Sequence, residues 1–416
     1  MTVPQQLFAE TLDNGMVLVG ERMDWVESAA MSALLPSGGR TDPLDRPGLS
    51  NLLCDMVQRG AGSRDTRQLL NDLENLGVSY GGQVSNAHMS FGAAMLADRL
   101  FEALPIFADI ICRPHLPESQ LDDSRSVCYQ EIRAIDDEPA RQLMMALRRQ
   151  HYPAPLGNDP HGTLESVGSI TYDDVREHWR RQFVPRGTIL SIAGRFDWPQ
   201  LVDQVRAQFG DWQGSPPASI ETTAAPGGYL HIPHESNQTH IGIAYASLPA
   251  DHPDFYRAWA GVSILGDGES SRLFTQLREK HGLVYTYSAN YHTVKSHSSI
   301  QCYAGTMKDA QKTLDVMLHE IQLLSSDGVT PEEVDRLKTR CKTLFIMNQE
   351  SSRARAGALA SQWHLLGRLR PLAETEAEID ALSCETIGEY LRANPPASYT
   401  FCTLGPKPLE TSVEVS

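Results

Sequence analysis

The sequence predicts an α/β (α+β) chain built from two similar domains, and three observations lead there. Helix-like and strand-like periodicities alternate in two rounds along 416 residues, a length too great for one core of ordinary size. The stretch "GDWQGSPPASIETTAAPGG" at 210–228 separates the rounds and has linker composition, rich in Pro, Gly, Ser and Thr. The second round then repeats the order of the first. "GVSYGGQVSNAHMSFGAAMLADRLFEAL" from Gly77 and "GLVYTYSANYHTVKSHSSIQCYAGTMKDAQKTL" from Gly282 both run Gly, apolar, any residue, Tyr. Each continues as strand, turn, strand and amphipathic helix. The expected division is an N-terminal domain at 1–210, a linker at 211–228 and a C-terminal domain at 229–416.

The elements follow in order. Residues 7–35 read as three strands, broken by the hairpin signal "DNGM" at Asp13 to Met16. Helices are expected at about 46–58 and 65–76. In the first, Leu49, Leu52, Leu53, Met56 and Val57 recur at i, i+3, i+4, i+7 and i+8 and form an apolar stripe. Asn51, Cys54, Asp55 and Gln58 share the opposite face. Positions 51 and 55 lie one turn apart, a spacing at which two side chains can share a ligand. Two strands follow, then helical periodicity over 97–111 and 117–150, a helix near 171–182, the strand "TILSIAG" and a helix near 198–209. In the second round, Thr330 ahead of Pro331, Glu332 and Glu333 makes a sound N-cap and first turn. "SRARAGALASQW" at 352–363 reads as a small-residue helix start suited to packing.

Bulk composition narrows the function classes. The formal net charge is −16, which disfavours nucleic acid and anionic membrane surfaces. The cysteines number seven, with no CxxC, so free thiols in a reducing compartment are expected. The N-terminal "MTVPQQLFAETLDNG" lacks a signal-peptide pattern, and no apolar run is long enough to span a bilayer. The expectation is a cytoplasmic protein. No phosphate loop follows "GGR" at 38–40 or "GDGESS" at 266–271, and no Gly-x-Ser-x-Gly elbow occurs.

Three blocks carry a family resemblance: "LDNGMVLVGERM", "SGGRTDPLDRPGLSNLLCDMVQRGAGSR" and "GDGESSRLFTQLREKHGLVYTYSA". Together they make nearly the whole chain resemble the pitrilysin/insulinase family of metallopeptidases. The likeness is to its short two-domain branch, which holds the mitochondrial processing peptidase subunits and their bacterial relatives. It implies a mixed, mostly antiparallel sheet flanked by helices in each domain, the two forming half of a clamshell chamber.

The family's metal motif is His-x-x-Glu-His on a helix, with a distal Glu as third zinc ligand and one position open for water. Laid onto this chain, the first His falls on Asn51, the general-base Glu on Cys54, the second His on Asp55 and the distal Glu on Glu131, which is kept. Asn is a weak neutral ligand, Asp55 has shorter reach than imidazole, and a thiol is a poor substitute for the base. No zinc is therefore expected in this chain. A weak oxygen-rich cation site at Asn51, Asp55 and Glu131, or a merely polar helix face, are the other readings.

The resemblance also carries over Arg278 and Tyr285, in "LREKHGLVY", as the pair that holds the substrate carbonyl and steadies the oxyanion. By residue type alone, Arg278 suits a surface helix end and Tyr285 a strand core. Asn86 and Ala87, in "QVSNAHMS", match positions on the edge strand where peptide substrate adds, and Asn86 also suits a strand bend. His88 reads as structural. In two-subunit members, one subunit carries zinc and the other the Arg/Tyr pair. The resemblance therefore implies a non-catalytic, peptide-binding subunit of a heterodimeric zinc metallopeptidase, with zinc in the partner. The alternatives are a scaffold or peptide-binding protein without a catalytic role, and an active homodimer with an unusual metal site.

Overall fold

The computed structural model describes residues 5–216, 219–295, 297–411 and 413. Its strands form two sheets. The first contains β1 (Gln6–Thr11), β2 (Val17–Arg22), β3 (Ser28–Leu35), β4 (Ser79–Val84), β5 (Met89–Leu96) and β6 (Ile189–Gly194), ordered β1-β2-β6-β3-β5-β4. The second contains β7 (Tyr229–Pro233), β8 (Thr239–Ser247), β9 (Val284–Val294), β10 (His297–Thr306) and β11 (Thr400–Gly405), ordered β7-β11-β8-β10-β9. Every pair is antiparallel except β2 with β6 and β7 with β11. In each sheet the last strand in sequence inserts between the earlier ones, parallel to one and antiparallel to the other. The order β2-β6-β3-β5-β4 thus recurs as β7-β11-β8-β10-β9, the topological form of the repeat seen in the sequence. The inserted strands "ILSIAG" and "TFCTLG" are buried along their whole length, as strands covered on both faces must be.

The chain forms two compact units that are not contiguous in sequence. One comprises 1–134, 159–221 and 345–372, and the other 135–158, 222–344 and 373–416. This differs from the contiguous division expected at 211–228, although one boundary does fall within that segment. Two helices are the reason. Helix Ser352–Leu366 places Ala356, Leu359 and Ala360 against Val19, Met23 and Ala30 of the first sheet. Helix Pro139–His151 places Leu143 and Leu147 against Ala244, Cys402 and Leu404 of the second. Small and aliphatic stripes pack closely on a sheet wherever it offers an uncovered apolar face, irrespective of sequence distance. Burial also seals the pair of Arg355 and Glu21, 2.6 Å apart, within the first unit.

The expected helix over 117–150 is two helices, Leu121–Asp136 and Pro139–His151. Pro139 lacks the donor a continuous helix needs and instead sits in the first turn of the second helix. The expected cap at Thr330 is a reciprocal one: Glu333 N donates to Thr330 Oγ1 at 3.3 Å, and Thr330 N donates to Glu333 Oε2 at 2.8 Å.

Candidate functional site

The two candidate sets lie in different compact units and are described separately. In the first unit, helix Leu49–Met56 carries Asn51, Cys54 and Asp55. The chain enters it through Gly48, whose φ of +95° is left-handed. Asp42 then holds the first turn, accepting from Gly48 N and Ser50 N at 2.9 Å each and from Ser50 Oγ at 2.5 Å. His178 Nε2 lies 3.0 Å from the same Ser50 hydroxyl and 3.6 Å from Asp42. Burial pushes the Asp42 carboxyl up to about 7 and the His178 imidazole down to about 4.

The polar face of this helix is bonded within its own unit. Asn51 Nδ2 donates to Glu131 Oε2 at 2.6 Å and faces Cys128 Sγ at 3.6 Å. Asp55 Oδ2 accepts from Arg59 Nε at 2.6 Å and from Ser124 Oγ at 2.5 Å. Asn51 and Glu131 are thus brought together and bonded, while Asp55 is engaged by Arg59 and Ser124 instead. Cys54 is 4% exposed. Burial, reinforced by the charges of Asp55 and Glu131, pushes its thiol far up, so it is protonated and unsuited to take a proton. Cys128 is pushed up to about 12 for the same reasons. Among the described residues, no group of three or more His, Cys, Asp and Glu side chains is placed to hold a metal ion. The donor set at Asn51, Cys54 and Asp55 does not fit zinc.

Strand β4 lies at the edge of its sheet and packs on this helix. Gly82 is required there, since a Cβ would come within 2.9 Å of Cys54 Sγ. Asn86 and Ala87, matched to the edge strand, instead form the turn between β4 and β5. Ser85 makes that turn: its Oγ accepts from Ala87 N at 3.2 Å and from His88 N at 3.0 Å, while Ser85 N donates to His88 O at 2.8 Å. Arg40 N donates to Asn86 O at 3.0 Å, fixing the turn from below. His88 Nε2 lies 3.1 Å from His364 Nδ1, so one of the two ring nitrogens donates and the other accepts.

In the second unit, Arg278 sits on a π-helical turn, Phe274–Lys280, and Tyr285 on β9. Both sites are backbone irregularities. His281 N bonds to Gln276 O at 3.1 Å, the five-residue reach of a π-turn. In the β9–β10 ladder Gly305 faces Thr286 and Thr306 faces Val284, so Tyr285 is the extra residue of a bulge. A bulge re-aims the side chain it carries, and Tyr285 is 78% exposed rather than in the strand core. The Arg278 guanidinium lies 5.4 Å from the Phe274 ring centroid and 5.2 Å from that of Tyr285, held between two aromatic rings. Among the described residues, Arg278 has no ion pair and Tyr285 has no hydrogen-bond partner for its hydroxyl. A planar donor fork and a phenol, exposed side by side, suit a neutral carbonyl oxygen.

Several contributors were not singled out from the sequence. Arg59, Ser124 and Cys128 complete the first cluster, and Phe274 supports Arg278. Spacing could have indicated two of them, because Arg59 follows Asp55 by one turn and Phe274 precedes Arg278 by one turn. Ser124 and Cys128 come from another helix and leave no local signal.

Comparison with known proteins bears on the family and the fold. The family described as Insulinase (Peptidase family M16) matches residues 21–160, and that described as Peptidase M16 inactive domain matches 169–341. An uncharacterized zinc protease of Bacillus subtilis, YmxG, is 24% identical over 399 residues, covering 95% of this chain and 97% of its own. A crystal structure of a peptidase M16 inactive domain from Pseudomonas fluorescens superposes with a TM-score of 0.88 at 19% identity, covering 98% of this chain and 100% of that one. A protease from Helicobacter pylori gives 0.89 at 18% identity, with 97% and 100% covered. A chain of complex III2 from Candida albicans gives 0.81 at 19%, with 96% of each covered. Motif order, repeated topology and these matches lead to one conclusion: the chain belongs to the insulinase (peptidase M16) family.

Proposed function

We propose that this chain is the non-catalytic, peptide-binding subunit of a heterodimeric zinc metallopeptidase, supplying Arg278 and Tyr285 to a zinc-bearing homologous partner. One contrast carries the reading. Asn51 and Asp55 of the metal-motif positions are bonded to Glu131, Arg59 and Ser124, whereas Arg278 and Tyr285 are exposed and held on two backbone irregularities. In this reading the partner's zinc site supplies an activated water. Arg278 then directs its N–H groups at the scissile carbonyl oxygen, and the Tyr285 hydroxyl donates to the same oxygen as negative charge develops there. The exposed edge of β4, beside the turn of Asn86 and Ala87, offers backbone groups to which an extended peptide could add. No nucleic acid or membrane partner is invoked: net charge is −16, and among the described residues no helix is long and apolar enough to cross a membrane. The free thiols favour a cytoplasmic setting.

The test is to purify the chain alone and with a homologous chain bearing an intact His-x-x-Glu-His. Cleavage of a quenched-fluorescence peptide library is expected to need both chains and to fall with Arg278→Ala. Chelator-sensitive cleavage by this chain alone would instead support the homodimer with an unusual metal. Arg278-independent cleavage, or none in any pairing, would favour a scaffold.

A further inference from the structure

The segment joining Arg278 to Tyr285 is held by a second pair of side chains. The chain leaves the π-helical turn at Lys280, passes Gly282 at φ +56° and enters β9 at Val284. Two successive carbonyls of this crossing are taken. Thr306 Oγ1 donates to Leu283 O at 2.8 Å, and Lys308 Nζ donates to Gly282 O at 2.6 Å. The two holders are linked, because Lys308 N donates to Thr306 Oγ1 at 3.1 Å. The Thr306 hydroxyl therefore both gives and accepts, in a residue only 2% exposed. Thr306 also faces Val284 at the point where the ladder skips Tyr285. The bulge and the clamp meet at one place.

We propose that Thr306 and Lys308 are positioning residues that hold the Arg278 guanidinium against the Tyr285 ring; the catalytic consequence rests on the peptide-binding reading of that pair. The physical reason is the shortness of the crossing. Gly282 is left-handed and carries no side chain to restrain it. The Gly282–Leu283 peptide plane is held at both ends, Leu283 N donating to Leu277 O at 2.7 Å and Gly282 O accepting from Lys308 Nζ, so loss of the second bond lets the plane tilt about the first, which moves Arg278 relative to Tyr285. Displacement of about 1 Å is enough to cost about 100-fold in a positioned reaction. Lys308 is exposed and makes a single bond to a solvent-edge carbonyl. Its removal is therefore expected to alter geometry far more than stability.

The experiment uses the full chain. The NMR signal of Arg278 Nε–Hε is shifted by ring currents from Phe274 and Tyr285 and reports their stacking directly. Lys308→Met and Thr306→Val are expected to return that signal toward the position of an unstacked arginine, with Lys308→Met leaving thermal stability unchanged. Lys308→Arg and Thr306→Ser are expected to keep it. In complex with a zinc-bearing homologue, the first two variants are expected to lower kcat about tenfold with KM little changed, and the conservative pair to retain activity. A signal unmoved in both Lys308→Met and Thr306→Val overturns the proposal, and a moved signal with kcat intact overturns its catalytic consequence. Absence of Arg278-dependent cleavage in the wild-type complex sinks the peptide-binding reading instead, while the signal alone decides whether the clamp sets the geometry.

Discussion

The helix Leu49–Met56 and the crossing from Arg278 to Tyr285 handle polar side chains in opposite ways. On the helix, Asn51 binds Glu131 and Asp55 binds Arg59 and Ser124. At the crossing, the Arg278 guanidinium lies over the rings of Phe274 and Tyr285, and Tyr285 is 78% exposed. Hydrogen bonds satisfied inside the protein add modestly to stability and leave nothing for a ligand. Donors left exposed add little stability and remain available. The two regions thus differ in one respect: one engages its polar side chains within the unit, the other leaves them exposed.

The largest expected effect tests the second region. In a reconstituted complex, Arg278→Ala is expected to reduce kcat by about 10² to 10³, the range for loss of an oxyanion donor, while the chain's thermal midpoint stays put. Arg278→Lys should rescue poorly, because a point charge lacks the planar fork. A drop in stability matching the drop in activity would break the contrast by making Arg278 structural.

The next effect belongs to the first region. Asp55→Ala is expected to destabilise the chain by about 1–3 kcal/mol in denaturant unfolding, since it strands Arg59 and Ser124 in a partly buried site. Tyr285→Ala should stay within about 0.5 kcal/mol of wild type, because its side chain is exposed. Equal effects at the two positions would remove the distinction.

A third prediction concerns the buried base of the same helix. Asp42 titrates at about 7 in the folded chain against an ordinary 3.8, so its contribution is full below pH 4 and is lost as pH rises toward 7. His178 titrates at about 4 against an ordinary 6.5, so its contribution is present above pH 6.5 and is lost as pH falls toward 4. The two slopes oppose each other over one window, so this pair adds little to the pH dependence there, while His151 and His292, each pushed down to about 4 by burial, make wild-type stability rise with pH. Asp42→Asn should expose the histidine slope, with stability rising with pH. His178→Gln should leave the aspartate slope uncompensated by its neighbour, so that stability rises less with pH than in the wild type. Urea midpoints at pH 4, 5.5 and 7 check both signs.

The smallest effect is at Asn51. Asn51→Ala is expected to leave activity of the complex unchanged and to cost only the hydrogen bonds to Glu131 and Cys128. Metal analysis of the wild-type chain should find substoichiometric zinc. A metal content that Asn51→Ala abolishes would show that the helix face still binds a ligand.

Much of the molecule was legible before any coordinates. Period-2 and period-3.6 patterns place the strands and the helix Leu49–Met56, because those periods record which side chains meet the core. The repeat from Gly77 and Gly282 anticipates the shared strand order. The departure of Asn51, Cys54 and Asp55 from His-x-x-Glu-His stands in the sequence itself, whereas the burial that pushes the Cys54 thiol up comes from its surroundings. Tertiary structure decided the rest. It broke the helix at Pro139 and gave helices Pro139–His151 and Ser352–Leu366 to sheets distant in sequence. It moved Asn86 and Ala87 from strand to turn, and it placed Arg59, Ser124 and Glu131 where they close the helix face. It also set Tyr285 outward on a bulge, beside Arg278. Periodicity reports which face of an element is buried. What that face is buried against, and whether a donor has a partner, depends on segments that meet only when the chain has folded.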